Sequence, residues 1–210
     1  MSSLTTSHLL AIAAALGWAS GLRLYAVLFI TGMAGALGLV DLPSGLHVLQ
    51  HPAMLIASGF MLFVEFFADK IPGVDTLWDL VHTVIRIPAG AALAASVFGA
   101  DQSTWAMVAA LLGGTLAATS HVAKATTRAA VNTSPEPFSN IALSLLGDAV
   151  VPTALWLSWT HPVAFFIALA LALVVMVAAT WLLAKFLRAL ARRIADFFAQ
   201  RHANAPERWN

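Results

Sequence analysis

Between Pro162 and Leu183 the chain runs for 22 residues without one ionisable side chain. A helix needs about 20 apolar residues to cross a hydrocarbon core of ~30 Å, and a segment this uniform has no polar face to turn toward water. It therefore specifies a transmembrane helix, and the rest of the sequence must be read with lipid as its solvent. Of the 210 residues, 60% are hydrophobic and 10% charged, whereas soluble domains carry about 25% charged residues. That length has room for about six spans and no sizeable extramembrane domain.

The formal net charge is +1 and cysteine is absent, so no nucleic-acid partner is implied and neither disulfides nor thiolate metal sites are available. The opening MSSLTTSHLLAIAAALGWASG lacks the basic residues of a secretory leader, and is read as part of the mature bundle.

The expected fold is all-α: a polytopic helix bundle of about six spans in one transmembrane domain over residues 1–185, followed by a cytoplasmic amphipathic helix and tail over 186–210. The first apolar run, from about Leu9 to Val40, would be roughly 46 Å long as one helix, too long for a single straight span. It is expected to be tilted, broken or folded as a hairpin, with Gly17, Ser20 and Gly21 as the break. Further spans are expected from Pro52 to Asp69, Asp75 to Phe98, Thr104 to Arg128, Ser139 or Asn140 to Trp159, and Pro162 to Leu183. Turn signals separate them: Lys70-Ile71-Pro72-Gly73, Gly99 to Ser103, and Asn132-Thr133-Ser134-Pro135-Glu136-Pro137. A weak internal repeat pairs the second and third spans with the fourth and fifth, each pair carrying one interior proline, Pro88 or Pro152.

Beyond the last span, Leu187, Leu190, Ile194, Phe197 and Phe198 recur at helical spacing opposite Arg188, Arg192, Arg193 and Arg201, a pattern suited to an anionic membrane surface. The positive-inside rule then places the C-terminus in the cytoplasm, with Lys70, Lys124 and Arg128 on the same side. This is the expected topology of a bacterial inner-membrane protein.

Against that apolar background stands a stripe of ionisable residues. Asp75, Asp79, His82 and Arg86 lie at offsets 0, 4, 7 and 11, which at 100° per residue fall within a ~60° arc of one helix. Glu65 and Asp69 share a face of the preceding span; His121, Lys124 and Arg128 share one on the fourth; Asn140, Ser144 and Asp148 share one on the fifth. Each ionisable group costs roughly 2.5–3.5 kcal/mol at the bilayer centre on insertion scales, so such groups face one another or a water-filled path. The simplest arrangement is a vestibule open to the cytoplasm and floored by Arg86, Asp148 and Arg23, with Arg86 and Asp148 at similar depth as the expected ion pair. His82 and His121 titrate in the range that suits proton coupling. Asp79 and His82 make a D-x-x-H pair, and Glu65 with Asp69 could add oxygen ligands from the adjacent helix, so these four are the candidate ligands for a divalent cation.

The segment VEFFADKIPGVDTLWDLVHTVIRIPAGA, Val64 to Ala91, together with GWASGLRLY at Gly17 to Tyr25, resembles the bacterial and plant membrane-protein family catalogued as domain of unknown function 4126. The resemblance covers roughly residues 9–160 and rests on the A-D-K-I-P, D-x-x-W-D and H-x-x-I-R-x-P-A-G-A elements. It implies a multi-span fold and adds no catalytic role. It is carried by Glu65, Asp69, Lys70, Asp75, Asp79, His82 and Arg86.

The leading functional expectation is a small transporter or channel for an ion or small polar solute, with Glu65, Asp69, Lys70, Asp75, Asp79, His82, Arg86, His121, Lys124, Arg128, Asp148 and Arg23 along its path. One alternative is an intramembrane enzyme on a lipid or isoprenoid phosphate, Asp75 and Asp79 holding a divalent ion and Lys124 and Arg128 the phosphate. Another is a non-catalytic assembly protein whose ion pairs only set helix packing. The expected partners are the lipid bilayer and the solute, and the small residues Gly17, Gly21, Gly32 and Gly35 would suit a homo-oligomer.

Overall fold

The computed structural model describes residues 4–99, 102–133 and 138–203, with backbone alone at 198 and 200–203. All regular structure among the described residues is helical: α1 (Thr6–Ala36), a 3-10 helix (Ser44–Gln50), α2 (Pro52–Ala68), α3 (Val74–Ser96), α4 (Ser103–Val131), α5 (Phe138–Thr160) and α6 (Pro162–Ala203). Four helices are long and apolar enough to cross a membrane: α1, α4, α5 and residues Pro162–Phe197 of α6. The 3-10 helix and α2, bent by 69° at their junction, together form a fifth candidate. α3 falls short of that apolarity because of its polar stripe, yet it lies antiparallel to α4 along its length, with Asp75 on Arg128, Thr83 on His121 and Gly113 against Ala94.

The burial pattern inverts that of a soluble protein. Arg86 and Glu65 are completely buried, while Val174, Val175 and Leu171 of α6 are well over half exposed. The most apolar helix, α6, is the least buried of the four spans and α1 the most. A helix apolar all round with no water to avoid can serve either as core or as lipid-facing wall, and the chain uses one for each purpose.

α1 is the core because it folds back on itself. Arg23 alone leaves helical geometry, at φ −148° and ψ 85°. Before it, Gly17 lies on Gly113 and Gly21 on Ala117 and Ser120, so the first limb runs parallel to α4. After it, the Phe29 ring covers Gly59 and Gly32 lies on Leu49 and Leu55, so the second limb runs antiparallel to α2. α2 and α4 both run toward the end of the bundle where Arg128 bonds the Asp69 carbonyl, so the two limbs enter and leave by the same face. The break therefore falls at Arg23 and not at Gly17, Ser20 or Gly21. Those small residues serve the other use of small side chains, close helix approach: a Cβ on Gly17 would stand 2.5 Å from the Gly113 Cα. Gly32 and Gly35 are likewise covered by residues of the same chain, so the small-residue patches pack the monomer.

The remaining elements follow the sequence with adjustments. α3 and α5 pass through Pro88 and Pro152 without a break. Gly73, at φ +86°, makes the turn that a side chain would strain, and its N–H donates to Asp75 Oδ1 at 2.9 Å, so the first acid of the stripe also closes the start of α3. The connection between α1 and α2 contains the 3-10 helix, whose Gly45 lies against Ser96. α6 continues as one helix past Lys185 to Ala203, so the basic amphipathic segment extends the last span. Ser134 to Pro137, and the Phe198 and Arg201 side chains, lie outside the described residues.

Candidate functional site

The four polar faces and the apex of α1 meet in one buried network. Arg86 is fully buried in it: Nη2 donates to Glu65 Oε1 at 2.5 Å and Nη1 to Asp79 Oδ1 at 2.7 Å. The two nitrogens of one planar guanidinium thus tie α2 to α3. Nη1 also lies 3.4 Å from His121 Nδ1. The Thr83 hydroxyl donates to the Asp79 carbonyl and so accepts from His121 Nε2, at 2.8 Å, which leaves Nδ1 as the acceptor facing Arg86.

Asp69 collects three cations, with Oδ2 at 3.2 Å from Arg23, 3.0 Å from Lys124 and 3.4 Å from Arg128. Lys124 also bridges to Asp79 Oδ1 at 3.1 Å and donates to the Leu22 carbonyl at 3.1 Å, next to the break in α1. Arg128 reaches Asp75 Oδ2 at 2.9 Å and the Asp69 carbonyl at 2.7 Å. Asn132 donates to Asp75 and Thr76 and accepts from Asn140, closing the network toward α5.

At the apex of α1, Arg23 Nη2 lies 3.1 Å from Asp148 Oδ1 and donates to the Ser144 carbonyl and hydroxyl at 3.0 and 2.8 Å. Gly147 leaves the room: a Cβ there would be 3.2 Å from Arg23 Nε. Lys70 adds a partly exposed arm, 3.4 Å from Asp148 and over the Phe66 ring.

The structure brings together the acids and bases expected along the path, with His121, and leaves His82 beside them; the partners differ from those expected. Arg86 does not pair with Asp148. α3 packs on α1 and α4, whereas α5 packs on α1 and α6, so α1 lies between them and its Arg23 takes Asp148. Nor do the polar faces enclose an open vestibule, because they fill the space with one another: Arg86, Asp69, Asp75 and Glu65 have no solvent exposure. The open volumes flank the network. One of about 260 Å³ lies among α1, α4, α5 and α6 and touches Arg23, Asp69, Lys124 and Arg128; one of about 480 Å³ lies between α3, α4 and α6 and touches Asp79, Arg128 and Arg188.

The four candidate metal ligands do not converge, and among the described residues no three His, Asp or Glu side chains could hold an ion. Glu65, Asp69 and Asp79 each face cations, and His82 turns away from them: its Nδ1 donates to the Trp78 carbonyl and its Nε2 accepts from the Tyr25 hydroxyl at 3.1 Å. Asp75 and Asp79 are likewise occupied by Arg128, Arg86 and Lys124. Several buried polar atoms have no partner in the protein, among them Arg23 Nη1, Glu65 Oε2 and Arg86 Nε.

Thr83 and Asn132 belong to the network and Tyr25 bonds His82 beside it; none of the three was among the residues expected there. Tyr25 offered a signal, being the single tyrosine of the chain and two positions from Arg23. Thr83 and Asn132 offered none beyond their neighbours.

A polytopic helical membrane protein with a buried charge network is thus the class that fold and site define. Within it, the sequence profile of the domain of unknown function 4126 (DUF4126) matches residues 10–184. The chain belongs to that family. No curated protein and no solved structure matches it.

Proposed function

We propose that the protein is a small transporter or channel for an ion or small polar solute, with the charge network as its closed gate. The observation that carries this reading is the re-entrant α1, whose break at Arg23 sits inside the network. Non-helical backbone at membrane depth persists only where it is buried in protein or lines a water-filled path, and here it is held by the side chains of three other helices. Lys124 binds the freed Leu22 carbonyl, and Asp69 and Asp148 bind Arg23. Opening requires these pairs to exchange partners, which a solute charge or a proton on His121 could drive. The site faces the cytoplasm in this reading, with the C-terminal arginines on the same side of a bacterial inner membrane.

The test is flux in proteoliposomes, followed by stopped-flow light scattering over a panel of monovalent salts and small polyols, and by an entrapped pH dye for protons. Arg86→Gln and Asp148→Asn are expected to abolish the flux of the active solute in folded protein. Unchanged flux would contradict the reading.

The completeness of the pairing favours a second reading, a non-catalytic assembly protein. Five acids, Glu65, Asp69, Asp75, Asp79 and Asp148, and five bases, Arg23, Lys70, Arg86, Lys124 and Arg128, each make at least one ion pair. In that case charge deletions lower stability, and no solute on the panel moves faster than through protein-free vesicles.

A further inference from the structure

We propose that the cavity among α1, α4, α5 and α6 is a binding site for a single-chain anionic amphiphile that enters from the bilayer. This does not presuppose the transport reading, although the cavity shares Arg23, Asp69 and Lys124 with the gate.

The walls of the cavity select the chain. Leu143, Leu146, Val150, Val175 and Met176 line it, and Leu146 and Val175 are at the same time more than half exposed on the outer surface. A wall residue that is also exposed on a lipid-facing surface marks a lateral opening, so an occupant arrives through lipid and is apolar over most of its length. The volume of about 260 Å³ is near the lower end of ordinary ligand cavities, about 300 Å³. It suits one alkyl chain and not a two-chain lipid.

The floor selects the head. Arg23, Asp69, Lys124 and Arg128 are its charged residues. The single acid is saturated, with Asp69 Oδ2 facing Arg23, Lys124 and Arg128, and Oδ1 accepting from Lys124 at 3.2 Å. The donors are not. Every contact of Arg23 to Asp69, Asp148 and Ser144 is made through Nη2, while Nη1 of this 2% exposed side chain has no protein partner. A buried guanidinium with an unused nitrogen favours a head that accepts hydrogen bonds and carries negative charge, a phosphate or a carboxylate. An ammonium head would meet three cations and one occupied carboxylate.

The experiment is native mass spectrometry of the full chain, released from a neutral detergent, with dodecyl phosphate, dodecyltrimethylammonium or inorganic phosphate added. One dodecyl phosphate is expected to be retained, with dodecyltrimethylammonium and inorganic phosphate each binding at least about tenfold more weakly. Arg23→Lys, which removes the unused nitrogen, is expected to lose that preference. Ala179 also lines the cavity; Ala179→Phe fills it, leaves every charged group in place and decides the matter if Arg23→Lys does not fold, and is expected to lose dodecyl phosphate by a similar factor. Equal retention of the cationic amphiphile, equal binding of inorganic phosphate alone, or undiminished binding to Ala179→Phe would each overturn the proposal.

Discussion

Arg23 and Asp148 lie 3.1 Å apart, joining the apex of the re-entrant helix to a helix that begins 115 residues later in the sequence. The contact explains why the chain leaves helical geometry where it does. A continuous helix through Arg23 would carry it onward along α4, whereas the break turns the second limb back toward the start of α2 and leaves the guanidinium at the tip, within reach of α2 and α5. Two carboxylates, the Ser144 carbonyl and the Ser144 hydroxyl then satisfy a charge that hydrocarbon would penalise.

Asp69 is expected to matter more for stability than Asp148. It is fully buried between Arg23, Lys124 and Arg128, while Asp148 is 24% exposed. Removing one partner of a buried pair leaves an uncompensated charge and costs about 3–5 kcal/mol. Asp69→Asn should therefore unfold at markedly lower denaturant concentration than Asp148→Asn in a detergent titration. Equal losses would contradict this ranking.

Arg86→Lys is expected to behave as a disruptive change despite keeping the charge. Glu65 and Asp79 are bound by different nitrogens of one planar group, and an ammonium on a flexible stem does not reproduce that fork. Thermal unfolding should place Arg86→Lys nearer to Arg86→Gln than to the parent protein.

Gly113 lies where α1, α3 and α4 meet. A Cβ there would collide with the Ala94 Cβ and stand 2.9 Å from the Gly90 carbonyl oxygen, and both obstacles belong to packed helices. Gly113→Val is expected to destabilise by at least the 1–3 kcal/mol typical of overpacking. Gly99 has open space around it, so Gly99→Ala should leave the unfolding midpoint nearly unchanged.

Tyr25→Phe isolates a single contact, the hydroxyl donated to His82 Nε2. Its loss is expected to cost about 0.5–1.5 kcal/mol and to leave the ion pairs around Arg86 in place. A larger loss, close to that of Asp69→Asn, would mean that His82 is coupled to the charge network.

The sequence made the polar faces legible because helical periodicity is a local property: Asp75, Asp79, His82 and Arg86 share one side of any helix that contains them. It left the partners open because depth says nothing about which helix lies between two others. Arg86 and Asp148 reach similar depth, yet α1 separates α3 from α5. The break in α1 was misplaced for a related reason. Gly17, Ser20 and Gly21 suit a kink and a close approach equally well, and only the arrival of α4 against them decides. Tyr25 shows a third limit, since a lone aromatic hydroxyl acquires its role from a histidine 57 positions away.

The re-entrant path of α1 is the claim on which the rest depends, and the absence of native cysteine makes it directly accessible to single-cysteine labelling in sealed vesicles. Ser7→Cys lies in the first turn of α1 and Asp41→Cys just beyond its end. With both limbs returning to one face, an impermeant maleimide is expected to modify both from the same side of the membrane, and Thr133→Cys from the opposite side. Modification of Ser7→Cys and Asp41→Cys from opposite sides would make α1 a simple span and contradict the account.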